Sequence, residues 1–84
     1  MFLYILKNKD TNVYYIGITN NIKRRLEEHN GKHNHYTGKI PGIWKLIFSK
    51  EYNNSHDARK EETRLKKAKN KRYLEWYIDN NKGL

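Results

Sequence analysis

The sequence predicts a small α/β (α+β) domain in which a three-stranded, mainly antiparallel sheet is covered by helices, in the order β-β-α-β-α-α. Three observations favour this fold: two β-prone apolar segments joined by a polar turn, one later segment of the same kind, and three segments with helical spacing or capping residues. With 84 residues, we expect one domain over 1–84 and only a modest core.

The first two strands are predicted from apolar runs at residues 2–7 and 13–17. Residues 8–12 between them are rich in turn formers, so the two strands should form a hairpin. Both runs are almost continuously apolar, which indicates that both faces of the sheet are at least partly covered. A third strand is predicted at residues 43–48.

The first helix follows the second strand directly. Ile22 and Leu26 are spaced i, i+4 and should face the core, and residues 19–21 offer an N-cap. Residues 30–42 hold three glycines and the only proline, which predicts a loop.

The second helix is predicted to begin near residue 56, after the capping segment 53–55. Its apolar positions are Ala58, Leu65 and Ala68. Asn70 should end or bend it, and a further short helix with a largely apolar surface is predicted at residues 71–79.

Charge composition indicates the class of partner. Eighteen Lys and Arg stand against nine Asp and Glu, giving a formal net charge of +9. This surplus favours nucleic acid as the partner, with an anionic membrane surface second and a basic protein without a polyanionic partner as the alternative. The absence of cysteine excludes disulfides and thiolate metal sites. No apolar run approaches the roughly 20 residues that span a bilayer, and no signal peptide is evident, so a cytoplasmic protein is expected.

Arg25 and His29 form the first candidate functional pair. They lie i, i+4 on the first helix, so their side chains project from one face about 6 Å apart. We expect the pair at the edge of the buried stripe, where the helix meets the sheet. The alternative is that Arg25 is one of several solvated basic residues and that His29 lies at the end of the helix, where it interacts favourably with the helix dipole.

Glu62 is the second candidate, because it falls within the predicted apolar stripe of the second helix, four residues after Ala58 and three before Leu65. A carboxylate on a packed face is costly unless it is paired or binds a metal. Either a salt bridge to a basic residue or a Mg²⁺ site completed by water would compensate the buried charge of Glu62. The residues alone do not decide between these two explanations. Its neighbour Glu61 should turn outward more easily.

Three histidines lie close in sequence, at positions 29, 33 and 35, and raise the question of a zinc site. Their spacing runs from a helix end into a loop, and neither a cysteine nor a nearby acid supplies a fourth ligand. Contacts of the loop histidines with phosphate or solvent are favoured over zinc.

Taken in order, these features resemble the GIY-YIG nuclease family. Residues 2–4, Phe-Leu-Tyr, stand in place of its GIY element without the glycine, and residues 15–17, Tyr-Ile-Gly, match YIG in full. Arg25 follows Tyr15 by ten positions, as the family's arginine does, and His29 occupies the next-turn position where the family has histidine or tyrosine.

The second helix extends the resemblance. Ala58 precedes Glu62 by four residues, as an alanine precedes the metal-binding glutamate of the family, and the pair at 36–37 matches a tyrosine-threonine pair common in small members. The resemblance covers roughly residues 2–68. One departure is Ile18, which stands where the family's excision-repair nuclease carries a lysine.

The resemblance implies hydrolysis of phosphodiester bonds with one divalent ion, Mg²⁺ or Mn²⁺. By this resemblance Glu62 is the metal ligand, Arg25 stabilises charge on the scissile phosphate, and Tyr4, Tyr15 and His29 surround the attacking water. The family favours a tyrosine as the base, whereas an ordinary histidine pKa near neutrality favours His29, so the base stays open among these three.

Nucleic-acid binding is expected from the surplus positive charge, with low or structure-directed specificity because no base-reading element is evident. The candidate phosphate contacts are Lys23, Arg24, Lys32, Lys39, Lys66 and Lys67. The predicted partner is DNA, with RNA not excluded, and a protein partner could supply specificity. The alternative function is a nucleic-acid-binding module with this fold and little or no cleavage of its own.

Overall fold

In the computed structural model, residues 1–31, 42–68 and 70–81 are described. The elements run in the predicted order, β-β-α-β-α-α. Their bounds are β1 Phe2–Asn8, β2 Tyr14–Thr19, α1 Ile22–Asn30, β3 Trp44–Glu51, α2 Ser55–Ala68 and α3 Lys71–Asn81. Within the described residues, no helix is long and apolar enough to cross a membrane.

The sheet is antiparallel throughout, with strand order β2-β1-β3. The central strand β1 is buried on both faces from Leu3 to Leu6, as its continuous apolar run predicted. A bulge shifts the β1–β3 register between Ile5 and Leu6. As a result Trp44 and Phe48, which would share a face of a regular strand, pack in different clusters on opposite sides of the sheet.

Helices cover both faces of the sheet. On one face Leu3 and Ile5 of β1 pack with Leu65 of α2 and with Leu74 and Ile78 of α3, forming the larger core cluster. The smaller cluster lies on the other face, where Tyr4, Leu6 and Trp44 pack with the half-buried Tyr15 and Leu26. The chain therefore divides its limited apolar surface between two cores, and the smaller one is built around tyrosine.

Asparagine side chains begin all three helices, as the polar segments before the first two predicted; Asn70 was expected only to end or bend the second helix. Asn21 Oδ1 accepts the Arg24 N–H at 3.1 Å, and Asn54 Oδ1 accepts the Asp57 N–H at 2.8 Å. Asn70 separates α2 from α3 by accepting the N–H groups of Arg72 and Tyr73 at 2.9 and 3.4 Å. Each bond satisfies a donor that the first helical turn would otherwise leave unpaired.

Some local predictions were wrong in detail. The third strand runs to residue 51 rather than 48, because its later residues continue the ladder with the start of β1. Ala68 is exposed, so the buried stripe of α2 ends at Leu65. In α3, Trp76 is 56% exposed, although it belongs to a segment that was predicted to supply apolar surface. The predicted loop lies almost entirely outside the described residues.

Candidate active site

A buried hydrogen bond between Tyr4 and His29 forms the centre of the site. Tyr4 lies in the middle of β1 and His29 in the last turn of α1, and the Tyr4 hydroxyl is 2.9 Å from His29 Nε2. The two residues are only 1% and 2% exposed. His29 is the only fully buried residue of α1, whereas Ile22 and Leu26 are half-buried. The expectation that His29 sits at the edge of the buried stripe was therefore wrong, since it lies at the stripe's centre.

Gly17 leaves room for the Tyr4 side chain, which lies across it from the neighbouring strand. Gly17 is the cross-strand partner of Tyr4, and a Cβ at this position would lie 2.6 Å from the Tyr4 hydroxyl oxygen and 2.8 Å from its Cζ. Any larger residue would displace the phenol ring. The glycine of Tyr-Ile-Gly thus serves a close side-chain approach.

Burial moves the pKa values of this pair in opposite directions. Desolvation raises the pKa of Tyr4 to about 12, helped by the neighbouring Tyr15 and opposed by Arg25. Desolvation, with the positive charge of Arg25, lowers the pKa of His29 to about 4. At neutral pH Tyr4 is therefore protonated and His29 is neutral. In the neutral tautomer whose Nε2 is unprotonated, the Tyr4 O–H donates to His29 Nε2.

Tyr15 closes this cluster toward the edge of the sheet. Its ring centroid lies 4.5 Å from that of His29 and 6.2 Å from that of Tyr4. Unlike those two residues it is half-buried, because β2 is an edge strand. Trp44, which the sequence did not single out, packs 6.4 Å from Tyr15 and 6.5 Å from His29, and it walls the cluster on the β3 side.

Arg25 lies beside the tyrosine cluster, close enough to oppose the rise in the pKa of Tyr4. Its side chain is 34% exposed, and its Nη1 donates to Glu28 Oε1 at 2.9 Å. Arg24 and Lys23 are exposed, and Arg24 contacts Asn20 and lies 3.8 Å from Glu28, the carboxylate that Arg25 also binds. The two adjacent arginines therefore differ in burial, although they share Glu28.

Glu62 is joined to the tyrosine cluster through a lysine. Its Oε2 lies 3.1 Å from Lys66 Nζ, and the same ammonium lies 5.9 Å from the centroid of the Tyr15 ring. The Glu62 side chain is only 14% exposed, whereas that of Lys66 is 52% exposed. Glu62 therefore forms a half-buried ion pair beside Tyr15, one that the i, i+4 spacing in the sequence would have suggested.

Glu61 faces a different part of the molecule. It accepts hydrogen bonds from Arg64 Nε at 2.7 Å and from the Tyr77 hydroxyl at 2.9 Å, and these donors lower its pKa. Its side chain is 22% exposed against 14% for Glu62, so it is the more outward of the two, as expected, although it is still half-buried. Its bonds tie α2 to α3.

The predicted phosphate contacts fall into separate groups. Lys66 lies beside Glu62, but Lys67 lines a groove on another side of α2 together with Lys60 and Arg64. Lys32 and Lys39 lie outside the described residues, as do the histidines at 33 and 35. Among the residues that the structure describes, no group of three or more His, Cys, Asp or Glu could hold a metal ion.

Comparison with known proteins assigns this sequence to a family. The family model described as the GIY-YIG catalytic domain matches residues 1–78. The chain belongs to the GIY-YIG family. This is a nuclease-type domain, whose members generally use a divalent metal and act on nucleic acid, and the sequence-based resemblance is thereby confirmed.

Similar proteins occur in several bacteria. UPF0213 protein YazA of Bacillus subtilis is 37% identical over 79 residues, which cover 93% of this chain and 77% of that protein. A UPF0213 protein of Streptococcus pneumoniae is 35% identical over 81 residues, covering 94% of this chain and 79% of the relative. No solved structure matches the chain.

Proposed function

We propose that this GIY-YIG protein is a divalent-metal-dependent endonuclease that hydrolyses phosphodiester bonds in DNA with low or structure-directed specificity. The observation that supports this proposal is the arrangement around Tyr15. On one side lie the Tyr4–His29 pair and Arg25, and on the other lies the Glu62 carboxylate, which reaches Tyr15 through Lys66. A proton acceptor, a fixed cation and a carboxylate are the groups that metal-assisted phosphodiester hydrolysis requires.

Glu62 fits the role of a ligand for Mg²⁺ or Mn²⁺. A single carboxylate suits Mg²⁺, which keeps several of its waters and takes further oxygens from a substrate phosphate. Its present partner Lys66 is an exposed, flexible cation at 3.1 Å that can move aside. A bound ion there would supply charge stabilisation at the leaving oxygen.

Arg25 is proposed to bind the non-bridging oxygens of the scissile phosphate. Its guanidinium is half-buried, so its charge is less screened by water than that of the exposed Arg24. Glu28 holds it in place from the solvent side. A planar, charged donor in a partly desolvated site is suited to stabilise the charge that grows during phosphoryl transfer.

The Tyr4–His29 pair is proposed to remove the proton from the attacking water. Tyr4 alone is a poor base at neutral pH, since burial raises its pKa to about 12. Its oxygen can accept a proton from water while its own O–H proton passes to neutral His29; Nε2 would hold that proton only transiently, because burial and Arg25 lower the pKa of His29 to about 4. Tyr15, packed on the imidazole, orients the water and shields the pair.

The exposed basic residues of the proposed site would bind the phosphates on either side of it. Lys23 and Arg24 lie near Arg25 on α1, and Lys66 lies beside Tyr15. Lys67 would act farther away, on its own side of α2. These contacts carry no base information, so DNA is proposed as substrate with RNA as a comparison, and a protein partner could add specificity.

The test compares two adjacent glutamates. Glu62→Gln and Glu61→Gln are assayed with single-stranded, duplex, flapped and junction DNA and with matched RNA, in Mg²⁺, Mn²⁺ and EDTA. We expect wild type and Glu61→Gln to cleave with metal and Glu62→Gln to lose cleavage by roughly 10²-fold or more. Glu62→Gln should bind DNA as tightly as wild type or slightly more tightly, because a negative charge has been removed.

Two results would contradict the proposal. Cleavage by Glu62→Gln at the wild-type rate would exclude it as the metal ligand. Tight DNA binding by wild type without cleavage in either metal would favour the alternative function, a binding module with this fold.

A further inference from the structure

A second concave surface adjoins the proposed active site along the free edge of the sheet. It is a groove of about 820 Å³ lined by residues 13–16, by Leu65 and Lys66 of α2, and by the start of α3. This volume lies within the range of pockets that hold drug-sized ligands, and a nucleotide is of that size. Its apolar floor is part of the core, so the groove has a fixed base.

The groove combines aromatic rings with ammonium groups. Lys7 Nζ and Lys71 Nζ lie 5.5 and 5.7 Å from the centroid of the Tyr14 ring, and Lys66 Nζ lies 5.9 Å from that of Tyr15. None of the described residues that line the groove is acidic. At the rim, Glu75 accepts a hydrogen bond from the Tyr14 hydroxyl at 3.1 Å and so fixes the ring.

This groove is continuous with the proposed active site, because Tyr15 and Lys66 belong to both. Proteins bind single-stranded nucleic acid by combining a positively charged groove with aromatic rings on which bases stack. We propose that the groove beside Tyr14 takes the unpaired nucleotides next to the scissile phosphate, with a base on Tyr14 and phosphates on Lys7 and Lys71. The placement next to the scissile phosphate rests on the proposed function, whereas the preference for unpaired nucleotides rests on the groove itself.

A second groove on another side of α2 makes a useful contrast. It also carries a lysine over a tyrosine, with Lys50 Nζ 5.5 Å from the centroid of the Tyr52 ring. Tyr52 and Tyr14 pack against the same core cluster. Its lining is also basic, with five Lys or Arg against the carboxylates of Asp57 and Glu61, so charge does not distinguish the two grooves. The Tyr14 groove is favoured because it shares Tyr15 and Lys66 with the proposed active site, and the second groove supplies matched control variants.

The experiment measures binding by fluorescence anisotropy in EDTA, with the labelled DNA checked on a gel for integrity. The probes are a blunt duplex and the same duplex with a single-stranded thymidine arm. Tyr14→Leu and Lys71→Gln are compared with the controls Tyr52→Leu and Lys50→Gln. Circular dichroism confirms that each variant is folded. Tyr14→Phe, which keeps the ring, is the conservative control, and Lys71→Gln alone carries the test should Tyr14→Leu unfold.

Wild type should bind the armed duplex more tightly than the blunt one. Tyr14→Leu should lose roughly tenfold for the armed duplex and little for the blunt one, because a stacked base is lost. Lys71→Gln should lower the salt dependence for the armed duplex by roughly 0.7 in log–log slope, the share of one single-strand phosphate. Tyr14→Phe should bind like wild type, and the Tyr52 and Lys50 variants should not change the ratio of armed to blunt affinity.

The outcomes separate this proposal from the proposed function. Should the Tyr14 and Lys71 variants weaken both probes equally, the groove contacts duplex DNA; should they weaken neither, it does not contact DNA. Either result overturns the proposal that the groove holds unpaired nucleotides, even if wild type cleaves DNA. Should wild type fail to cleave while Tyr14→Leu still abolishes the preference for the arm, the groove proposal stands and the nuclease proposal fails.

Discussion

The burial of neutral His29 should make the stability of this protein depend on pH in a defined window. In the unfolded chain a histidine has a pKa near 6.5, whereas burial and Arg25 lower the pKa of folded His29 to about 4. Between these values the unfolded state binds a proton that the folded state does not. The stabilisation is therefore complete above the unfolded pKa and is lost as the pH falls toward the folded pKa.

The size of the effect follows from the two pKa values. Between pH 7 and pH 5, a shift from 6.5 to about 4 corresponds to a loss of about 2 kcal/mol in the free energy of unfolding. His29 is 2% exposed, so no large discount for solvent screening applies. Few carboxylates titrate above pH 5, so between pH 7 and pH 5 the contribution of His29 to stability is least obscured by other groups.

The assay is urea unfolding at pH 7, 6 and 5 for wild type and for His29→Gln. Glutamine offers an oxygen to the Tyr4 hydroxyl but has no proton to gain, so the variant should be less stable at pH 7 yet lose about 2 kcal/mol less on going to pH 5. Equal losses for the two proteins would refute the reasoning. They would mean that His29 is protonated normally in the folded state and therefore reaches water.

Two further predictions concern the site. Arg25→Ala should lose roughly 10²-fold or more in single-turnover cleavage at saturating enzyme, where binding losses vanish. Arg24→Ala should weaken DNA binding in a salt-dependent way and leave that cleavage rate unchanged. Equal single-turnover rates for the two variants would make Arg25 an ordinary surface cation. Gly17→Ala should cost about 1–3 kcal/mol in urea unfolding because its Cβ would meet the Tyr4 hydroxyl at 2.6 Å. Gly31→Ala, whose Cβ would lie 3.2 Å from the nearest atom, is the control. A cost for Gly17→Ala no larger than that for Gly31→Ala would show that the Tyr4 ring can move aside easily.

The order of elements could be predicted from the sequence because its signals are local. Apolar runs mark the strands, and asparagines before each helix accept the first N–H groups, as Asn21 and Asn54 do. Arg25 could be separated from Arg24 for the same reason, since helical spacing fixes the direction of each side chain. Such inferences need no knowledge of what lies across the molecule.

The depth of His29 could not be predicted in this way. Its burial depends on Tyr4, which is 25 positions away in sequence, and on the absence of a side chain at Gly17 on a third element. The β3 bulge, which places Trp44 and Phe48 on different faces, likewise results from pairing with β1 and leaves no periodic trace. Contacts between distant elements decide these features, and one sequence read alone contains little information about them.

The ion pairs of the proposed site explain how charged groups can be held there and still be available. Arg25 is paired with Glu28, and Glu62 with Lys66. In each pair at least one partner is substantially exposed, and such pairs are typically worth about 0–1 kcal/mol. They orient the two functional side chains yet cost little to open. A substrate phosphate at Arg25 or a cation at Glu62 therefore meets a weak intramolecular competitor, whereas the buried Tyr4–His29 bond remains intact.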